Sequence, residues 1–198
     1  MCAQKYTILM TRNIAIFASG SGSNAQNIIE QLEGKSSLHF PVILTNKEDA
    51  YIHQRAQKLG VPCHYFPKSI FEDGEKLVLF LQEHNIEGIV LAGFLLKVSA
   101  PLLAAFPNKI INIHPALLPR YGGKGMYGHH VHEAVKAAGE KESGITIHYV
   151  NEHYDEGNII FQAKCDIFSE DTPDDIANKV HELEYAHFPA IIRQVFEA

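Results

Sequence analysis

Short apolar runs alternate with segments of helical periodicity along most of the chain, and this alternation restricts the fold more than any other feature. The runs at 13–18, 40–45, 61–66, 88–93 and 110–114 are short and largely apolar, which predicts buried strands. Segments with apolar residues at helical spacing lie between them. Such an order is typical of a doubly wound, mostly parallel, Rossmann-like α/β sheet with helices on both faces.

The last third of the chain departs from that alternation. Runs at 144–150 and 158–164 are joined by too few residues for a crossover helix, so we expect antiparallel strands at one edge of the sheet, near the C-terminus. Thr172-Pro173-Asp174-Asp175 predicts the start of a final helix, with Thr172 as its N-cap. No linker or repeat interrupts the 198 residues, so we predict a single domain.

Composition narrows the classes of function. The net charge is −6 and basic clusters are absent, so we expect no nucleic-acid partner. No stretch approaches membrane-spanning length and no apolar signal segment is evident, which predicts a cytoplasmic protein with no membrane partner. Cys2, Cys63 and Cys165 are odd in number and widely spaced, which favours a reducing compartment over a disulfide framework.

A loop rich in Gly and Ser connects the first predicted strand to the first helix. The segment 20–25 satisfies the dinucleotide pattern G-x-G-x-x-A, but the second strand ends in Thr45-Asn46-Lys47 rather than in the acidic residue that would hold a ribose. A single phosphate fits better, because glycines expose N–H groups at a helix N-terminus. A tight turn without a ligand is the alternative. Ser21, Ser23 and Asn24 add side-chain donors. The candidate phosphate-binding residues are therefore Gly20, Ser21, Gly22, Ser23 and Asn24.

Two polar side chains interrupt the apolar run at 110–114. Asn112 and His114 are two positions apart, so a strand places both on one face. Pro115 and Pro119 then end the pairing and stiffen the exit loop. Ligands bind at the carboxyl ends of strands in open α/β sheets, so this strand end is a candidate active site. A histidine with a purely structural role is the alternative.

The segment Asn112-Ile113-His114-Pro115, continued by Leu117-Leu118-Pro119 and Tyr121, resembles the signature of folate-dependent formyltransferases. Together with the Gly-rich start and a late Asp, the resemblance covers nearly the whole chain and points to the members that formylate phosphoribosylglycinamide in purine synthesis. It implies transfer of a formyl group from 10-formyltetrahydrofolate, a co-substrate, to the amine of 5'-phosphoribosylglycinamide. It also implies a monomer or weak homodimer in which residues 1–11 form an extension, 12–110 a phosphate-binding half and 111–198 a catalytic and folate-site half.

The resemblance assigns the catalytic roles to Asn112, His114 and Asp155, although an Asp two positions before a Gly is otherwise typical of a turn. Formyl transfer between amines needs a neutral nucleophile, a stabilised oxyanion and a proton carrier. We expect Asn112 to donate to the oxyanion and a cationic His114 to add charge. Asp155 would raise the pKa of His114 and relay the proton through water. A neutral His114 acting as a base is the competing state.

The same resemblance implies two groups of binding residues. Glu184 matches a carboxylate at the ribose or glycinamide end of the substrate, and His181 stands on the same helix face where the family often has Gln. The family commonly has a basic residue where Leu96 lies here, with Lys97 following. The candidate folate-binding residues are Leu91, Phe94, Leu95, Leu96, Lys97 and Val98.

Other functions stay open. A formyltetrahydrofolate hydrolase and a formylase of initiator tRNA share the resembled site, but each usually carries an additional domain. A non-catalytic sugar-phosphate-binding module would leave Asn112, His114 and Asp155 without a role. His129, His130 and His132 are too close along one helix to face a single ion, so we expect no metal. The Gly-rich segment 122–128 predicts a mobile flap beside the site.

Overall fold

The computed structural model describes residues 11–198, so positions 1–10 of the predicted N-terminal extension, including Cys2, lie outside the described residues. The strands are β1 (Arg12–Phe17), β2 (Leu38–Thr45), β3 (Cys63–Tyr65), β4 (Ile86–Leu91), β5 (Ile110–His114), β6 (Glu142–Tyr149) and β7 (Ile159–Asp166). The helices are α1 (Ser23–Leu32), α2 (Ile52–Leu59), α3 (Lys68–Asp73), α4 (Glu75–Glu83), α5 (Ala100–Ala105), α6 (His129–Ala137) and α7 (Pro173–Glu197).

One sheet contains all of these strands in the order β3-β2-β1-β4-β5-β6-β7. Strands β1 to β5 are parallel, whereas β6 pairs antiparallel with both β5 and β7. The predicted doubly wound sheet with an antiparallel C-terminal edge is therefore confirmed.

The sheet is covered on both faces because alternate strand residues point in opposite directions. In β1, Ile14 and Ile16 belong to the core that also contains buried residues of α1, α2, α6 and α7. Ala15 and Phe17 belong to a second core with α3, α4 and α5. Asn112 and His114 share the sheet face of Ile110, which belongs to the second core.

Helix α3 is an element that the sequence pattern did not predict. This helix buries one large side chain, Phe71, and is separated from α4 by Gly74 alone, which adopts φ +81°. Six residues are too few to display helical periodicity. The predicted capping of α7 is confirmed, because Thr172 and Asp175 form a reciprocal capping box. No helix of the described residues is both long and apolar enough to cross a membrane.

Candidate active site

A cavity of about 990 Å³ opens at the carboxyl ends of β1, β4 and β5. Strands β1 and β4 are neighbours, and from them the chain proceeds toward opposite edges of the sheet. Ligands bind at such a reversal point in doubly wound sheets. The walls come from the loop after β1, the segment after β4, the end of β5, the segment 123–128 and helix α7.

Contacts on one side of the Gly/Ser loop hold it in place, and the other side of the loop faces the cavity. Gly22 adopts φ +74°, and a Cβ there would lie 2.1 Å from Ile52 Cδ1, so only Gly fits this turn. Arg55 Nε donates to the Ser21 carbonyl oxygen at 2.8 Å. Ser19 Oγ accepts from the Leu95 N–H at 2.9 Å and donates to Asn46. The loop is therefore a preformed turn at the N-terminus of α1.

Helix α7 contributes a buried carboxylate to the same end of the cavity. Glu184 is 4% exposed, and its Oε2 lies 2.8 Å from both Asn24 Nδ2 and His181 Nδ1. The bond from Glu184 raises the pKa of His181, although burial opposes it. The Asn24 amide nitrogen donates to Glu184, while Asn24 also lines the cavity, so its contact with a phosphate stays a prediction. Ser21 and Ser23 retain hydroxyls on the cavity wall.

The predicted folate segment lines the same cavity and contacts the Gly/Ser loop through Leu95. The Phe94 ring packs 5.4 Å from Phe17 and 4.9 Å from Phe71, measured between ring centroids, so the core fixes this wall. Leu95 and Lys97 are exposed, and the Leu95 N–H donates a hydrogen bond to Ser19 Oγ. All six predicted positions, 91 and 94–98, are among the residues that line the cavity.

Asn112 and His114 lie on the sheet face that the sequence predicted, and both line the cavity. Opposite them on β6 are His148 and Thr146, respectively. The buried Thr146 hydroxyl donates to the Ala116 carbonyl oxygen at 2.7 Å and accepts from the Leu118 N–H at 3.0 Å. These bonds hold the loop that carries the chain away from His114.

The hydrogen bonds of His114 define its protonation. Nε2 lies 2.7 Å from the Tyr121 carbonyl oxygen, and because a carbonyl only accepts, Nε2 carries a proton. Nδ1 lies 3.6 Å from Asp155 Oδ2. Burial lowers the pKa of His114 below 6.5, although Asp155 and the Tyr121 carbonyl raise it in part. That Asp155 keeps His114 cationic stays a prediction, and the direction of this shift favours the competing neutral state.

Asp155 is held as an anion beside His114. Its φ of +56° lies in the left-handed region, which Asp tolerates better than most residues. Oδ2 accepts from the Gly123 N–H at 2.9 Å, and Oδ1 lies 3.6 Å from His148 Nε2. Burial raises the pKa of Asp155, but the two imidazoles and the Gly123 N–H together lower it below 3.8. Asp155 is thus an anion that lies 3.6 Å from one nitrogen of each imidazole.

His148 is a site residue that the sequence interpretation missed. It is 2% exposed, and its Nε2 lies 3.2 Å from Asn112 Nδ2. Two signals pointed to it: the predicted strand 144–150 alternates apolar residues with polar Thr146 and His148, and an antiparallel neighbour of β5 would place them opposite Asn112 and His114.

The three histidines of α6 diverge, as their spacing predicted. His129 lies near Glu133 and Asp174, and His130 near Glu133. His132 lines the cavity at 3% exposure, and its Nδ1 has no hydrogen-bond partner among the described residues. Burial and the nearby His181 lower the pKa of His132 to about 4. Among residues 11–198, no group of three or more His, Cys, Asp or Glu side chains could hold a metal ion.

Comparison with known proteins identifies the family. Residues 12–192 match the family model described as formyl transferase. The chain is 38% identical to the chloroplastic phosphoribosylglycinamide formyltransferase of Arabidopsis thaliana over 94% of its own length, and it spans 66% of that protein. It is 34% identical to the phosphoribosylglycinamide formyltransferase of Bacillus subtilis, covering 93% of this chain and 94% of that one. The crystal structure of the Streptococcus pneumoniae TIGR4 phosphoribosylglycinamide formyltransferase superposes with a TM-score of 0.83 at 37% identity, covering 94% of this chain and 99% of that one. The chain therefore belongs to the formyl transferase family.

Proposed function

We propose that this enzyme transfers a formyl group from 10-formyltetrahydrofolate to the amine of 5'-phosphoribosylglycinamide, a step of purine biosynthesis. The observation that carries the proposal is the shared cavity, which has an anion-binding loop at one end and Asn112, His114 and Asp155 on its wall. The family match and the names of the relatives support the reaction type and the substrates.

The phosphate end binds the ribosyl substrate. Backbone N–H groups of residues 20–24 and the N-terminus of α1 attract the phosphate, while Arg55 adds a positive charge behind the loop. Glu184 accepts hydrogen bonds from the ribose or from the glycinamide end, with His181 beside it. These contacts place the amine of the substrate toward Asn112 and His114.

The folate co-substrate supplies the formyl group and occupies the part of the cavity lined by 91 and 94–98. A cavity of about 990 Å³ lies at the upper end of the usual range for ligand pockets, as a site for two substrates requires. We expect main-chain groups of this segment to bind the pterin ring, as the resemblance implies. Lys97 and Lys124 are the lysines that line this cavity within the described residues, and either can pair with the carboxylates of the folate tail.

The protonation state of each catalytic group determines its role in the formyl transfer. Asn112 donates an amide N–H to the oxyanion that develops on the formyl oxygen. His114, neutral with a free lone pair on Nδ1, accepts the proton that leaves the attacking amine and returns it to the leaving nitrogen. Asp155 does not hold that proton. It stabilises the imidazolium while the proton resides on Nδ1, 3.6 Å away.

We further infer a cytoplasmic location and a monomer or weak homodimer. Burial raises the pKa of the Cys63 thiol to about 11 and raises that of Cys165, so both thiols resist oxidation. Sedimentation velocity over a range of protein concentrations tests the oligomeric state.

The direct test of the function follows absorbance as 10-formyl-5,8-dideazafolate loses its formyl group, with and without phosphoribosylglycinamide. We expect turnover that requires the amine. Turnover that proceeds equally without the amine would identify a hydrolase. No turnover under either condition, with phosphoribosylglycinamide still bound, would leave a sugar-phosphate-binding module.

A further inference from the structure

His148 is enclosed by three polar groups that belong to different parts of the site. Nδ1 lies 2.8 Å from the carbonyl oxygen of Tyr149. Nε2 lies 3.2 Å from Asn112 Nδ2 and 3.6 Å from Asp155 Oδ1. With 2% of its surface exposed, the ring has little access to water, so these groups decide its protonation and orientation.

The contact with Tyr149 selects one tautomer. A carbonyl oxygen can only accept, so His148 Nδ1 carries the proton. In the neutral ring, Nε2 then has a lone pair and can only accept. Its neighbour within hydrogen-bond distance is the Asn112 amide nitrogen, which donates.

The Tyr149 carbonyl is itself held in place. The Tyr149 N–H donates to the Asn158 carbonyl oxygen at 3.0 Å. A Cβ at Gly157 would lie 1.7 Å from the Tyr149 oxygen, so the chain passes directly against that oxygen because position 157 has no side chain. The hydrogen-bond acceptor that selects the tautomer is therefore part of the rigid exit from β6.

From this chain of contacts we propose that His148 is a positioning residue that orients the Asn112 amide through its fixed Nδ1–H tautomer. With one hydrogen of Asn112 Nδ2 engaged by His148 Nε2, the amide cannot flip. The second hydrogen stays available to the cavity, where an oxyanion would accept it. If the amide were flipped, the carbonyl oxygen of Asn112 would face the lone pair of Nε2 and would present an acceptor to His148 instead of a donor.

The expected effect of His148 on catalysis rests on the proposed function, whereas its contacts with Asn112 and Tyr149 do not. Asn112 touches the reacting atoms, whereas His148 acts through Asn112. Loss of His148 should therefore lower kcat and leave the KM of both substrates nearly unchanged, because binding depends on other residues.

A matched pair of variants tests the proposal. In His148→Asn, the side-chain amide can donate to the Tyr149 carbonyl but is too short to reach Asn112, and we expect kcat to fall about tenfold to a hundredfold, less than loss of an oxyanion donor itself. In His148→Gln, the longer side chain offers an oxygen that accepts from Asn112. We expect kcat within about fivefold of the wild type, since the orienting bond is restored.

A double-mutant cycle with Asn112→Ala separates positioning from other roles. Once Asn112 is absent, His148→Asn should have almost no further effect on kcat. An undiminished effect in that background would show that His148 acts by another route, such as its contact with Asp155, and would overturn the proposal.

A spectroscopic measurement decides the same question without activity. The ¹⁵N shifts of the His148 ring in the wild-type protein at neutral pH should report a proton on Nδ1 and none on Nε2. A proton on Nε2 would contradict the proposal even if His148→Asn failed to fold. If the wild-type protein bound both substrates but transferred no formyl group, the proposed function would fail, and the ¹⁵N result would still stand for or against the tautomer.

Discussion

The two ends of the cavity are built in different ways. The phosphate end is a turn of consecutive residues between β1 and α1, and its shape depends on Gly22 and on main-chain N–H groups. The catalytic region joins side chains from β5, β6 and the loop before β7, which are brought together by antiparallel pairing. The first can be recognised from a short motif, whereas the second depends on long-range contacts and on burial.

The largest expected effect is at the catalytic end. Asp155→Asn keeps a residue that tolerates the left-handed φ, but it removes the charge that stabilises a proton on His114. We expect kcat to fall about 10²–10⁴-fold, because the imidazolium that forms on His114 loses the anion that stabilises it, with little change in KM. Initial rates of deformylation measure it. Glu156→Gln, an exposed neighbour outside the cavity, is the matched control. Equal activity of Asp155→Asn and Glu156→Gln would remove Asp155 from the mechanism.

The second effect is on the pH dependence of stability and concerns His132, which is buried in the cavity wall. Its pKa in the folded protein is lowered to about 4 from an ordinary value of 6.5, so the unfolded chain takes up this proton first as the pH falls. As the pH falls from 6.5 to about 4, the free energy of unfolding therefore decreases, by up to about 3 kcal/mol. Urea unfolding at several pH values should show a shallower acid loss for His132→Gln. The exposed His130→Gln should follow the wild type, and identical acid profiles for all three proteins would refute the assignment.

A smaller effect is expected at the phosphate end. Gly22→Ala places a side chain at φ +74° and against Ile52, which should lower the free energy of unfolding by about 2 kcal/mol and raise the KM for phosphoribosylglycinamide. Gly20→Ala is the matched control for folding, because a Cβ there has no atom within 4 Å. Thermal melting and substrate titration test both variants. A Gly22→Ala protein as stable as Gly20→Ala would mean that the turn is not held as the structure indicates.

The smallest effect is expected from His181. Its bond to Glu184 raises its pKa above 6.5, so the ring is protonated below that raised value and loses its charge as the pH rises through it. Affinity for an anionic substrate should then decline by a few-fold, a modest change because the side chain is half exposed to screening solvent. In His181→Gln this decline should be absent. A decline of equal size in the variant would assign it to another group.

The contrast between the two ends also explains what the sequence could and could not predict. The Gly/Ser loop, the strand end at Asn112 and His114, and the capping of α7 follow from local rules, and the structure places them as expected. Asp155 was placed by resemblance alone, and the structure brings it to 3.6 Å from His114.

Three features depended on tertiary structure. The Asn24 amide turns to Glu184, a residue 160 positions away, which no local motif encodes. His148 enters the site because β6 pairs with β5 in one register. The lowered pKa of His114 follows from burial, which outweighs the neighbouring carboxylate, and burial at a single position is not a property of the local sequence.

The proposed proton transfer depends on a neutral His114 beside an ionised Asp155. The most direct test is a ¹⁵N titration of the His114 ring in the wild-type protein. We predict a neutral ring at pH 7 with its proton on Nε2, and a pKa below 6.5 that falls further in Asp155→Asn, because Asp155 raises it in part. A ring that carries protons on both nitrogens at pH 7 would contradict the claim and restore a cationic His114 as the catalytic form.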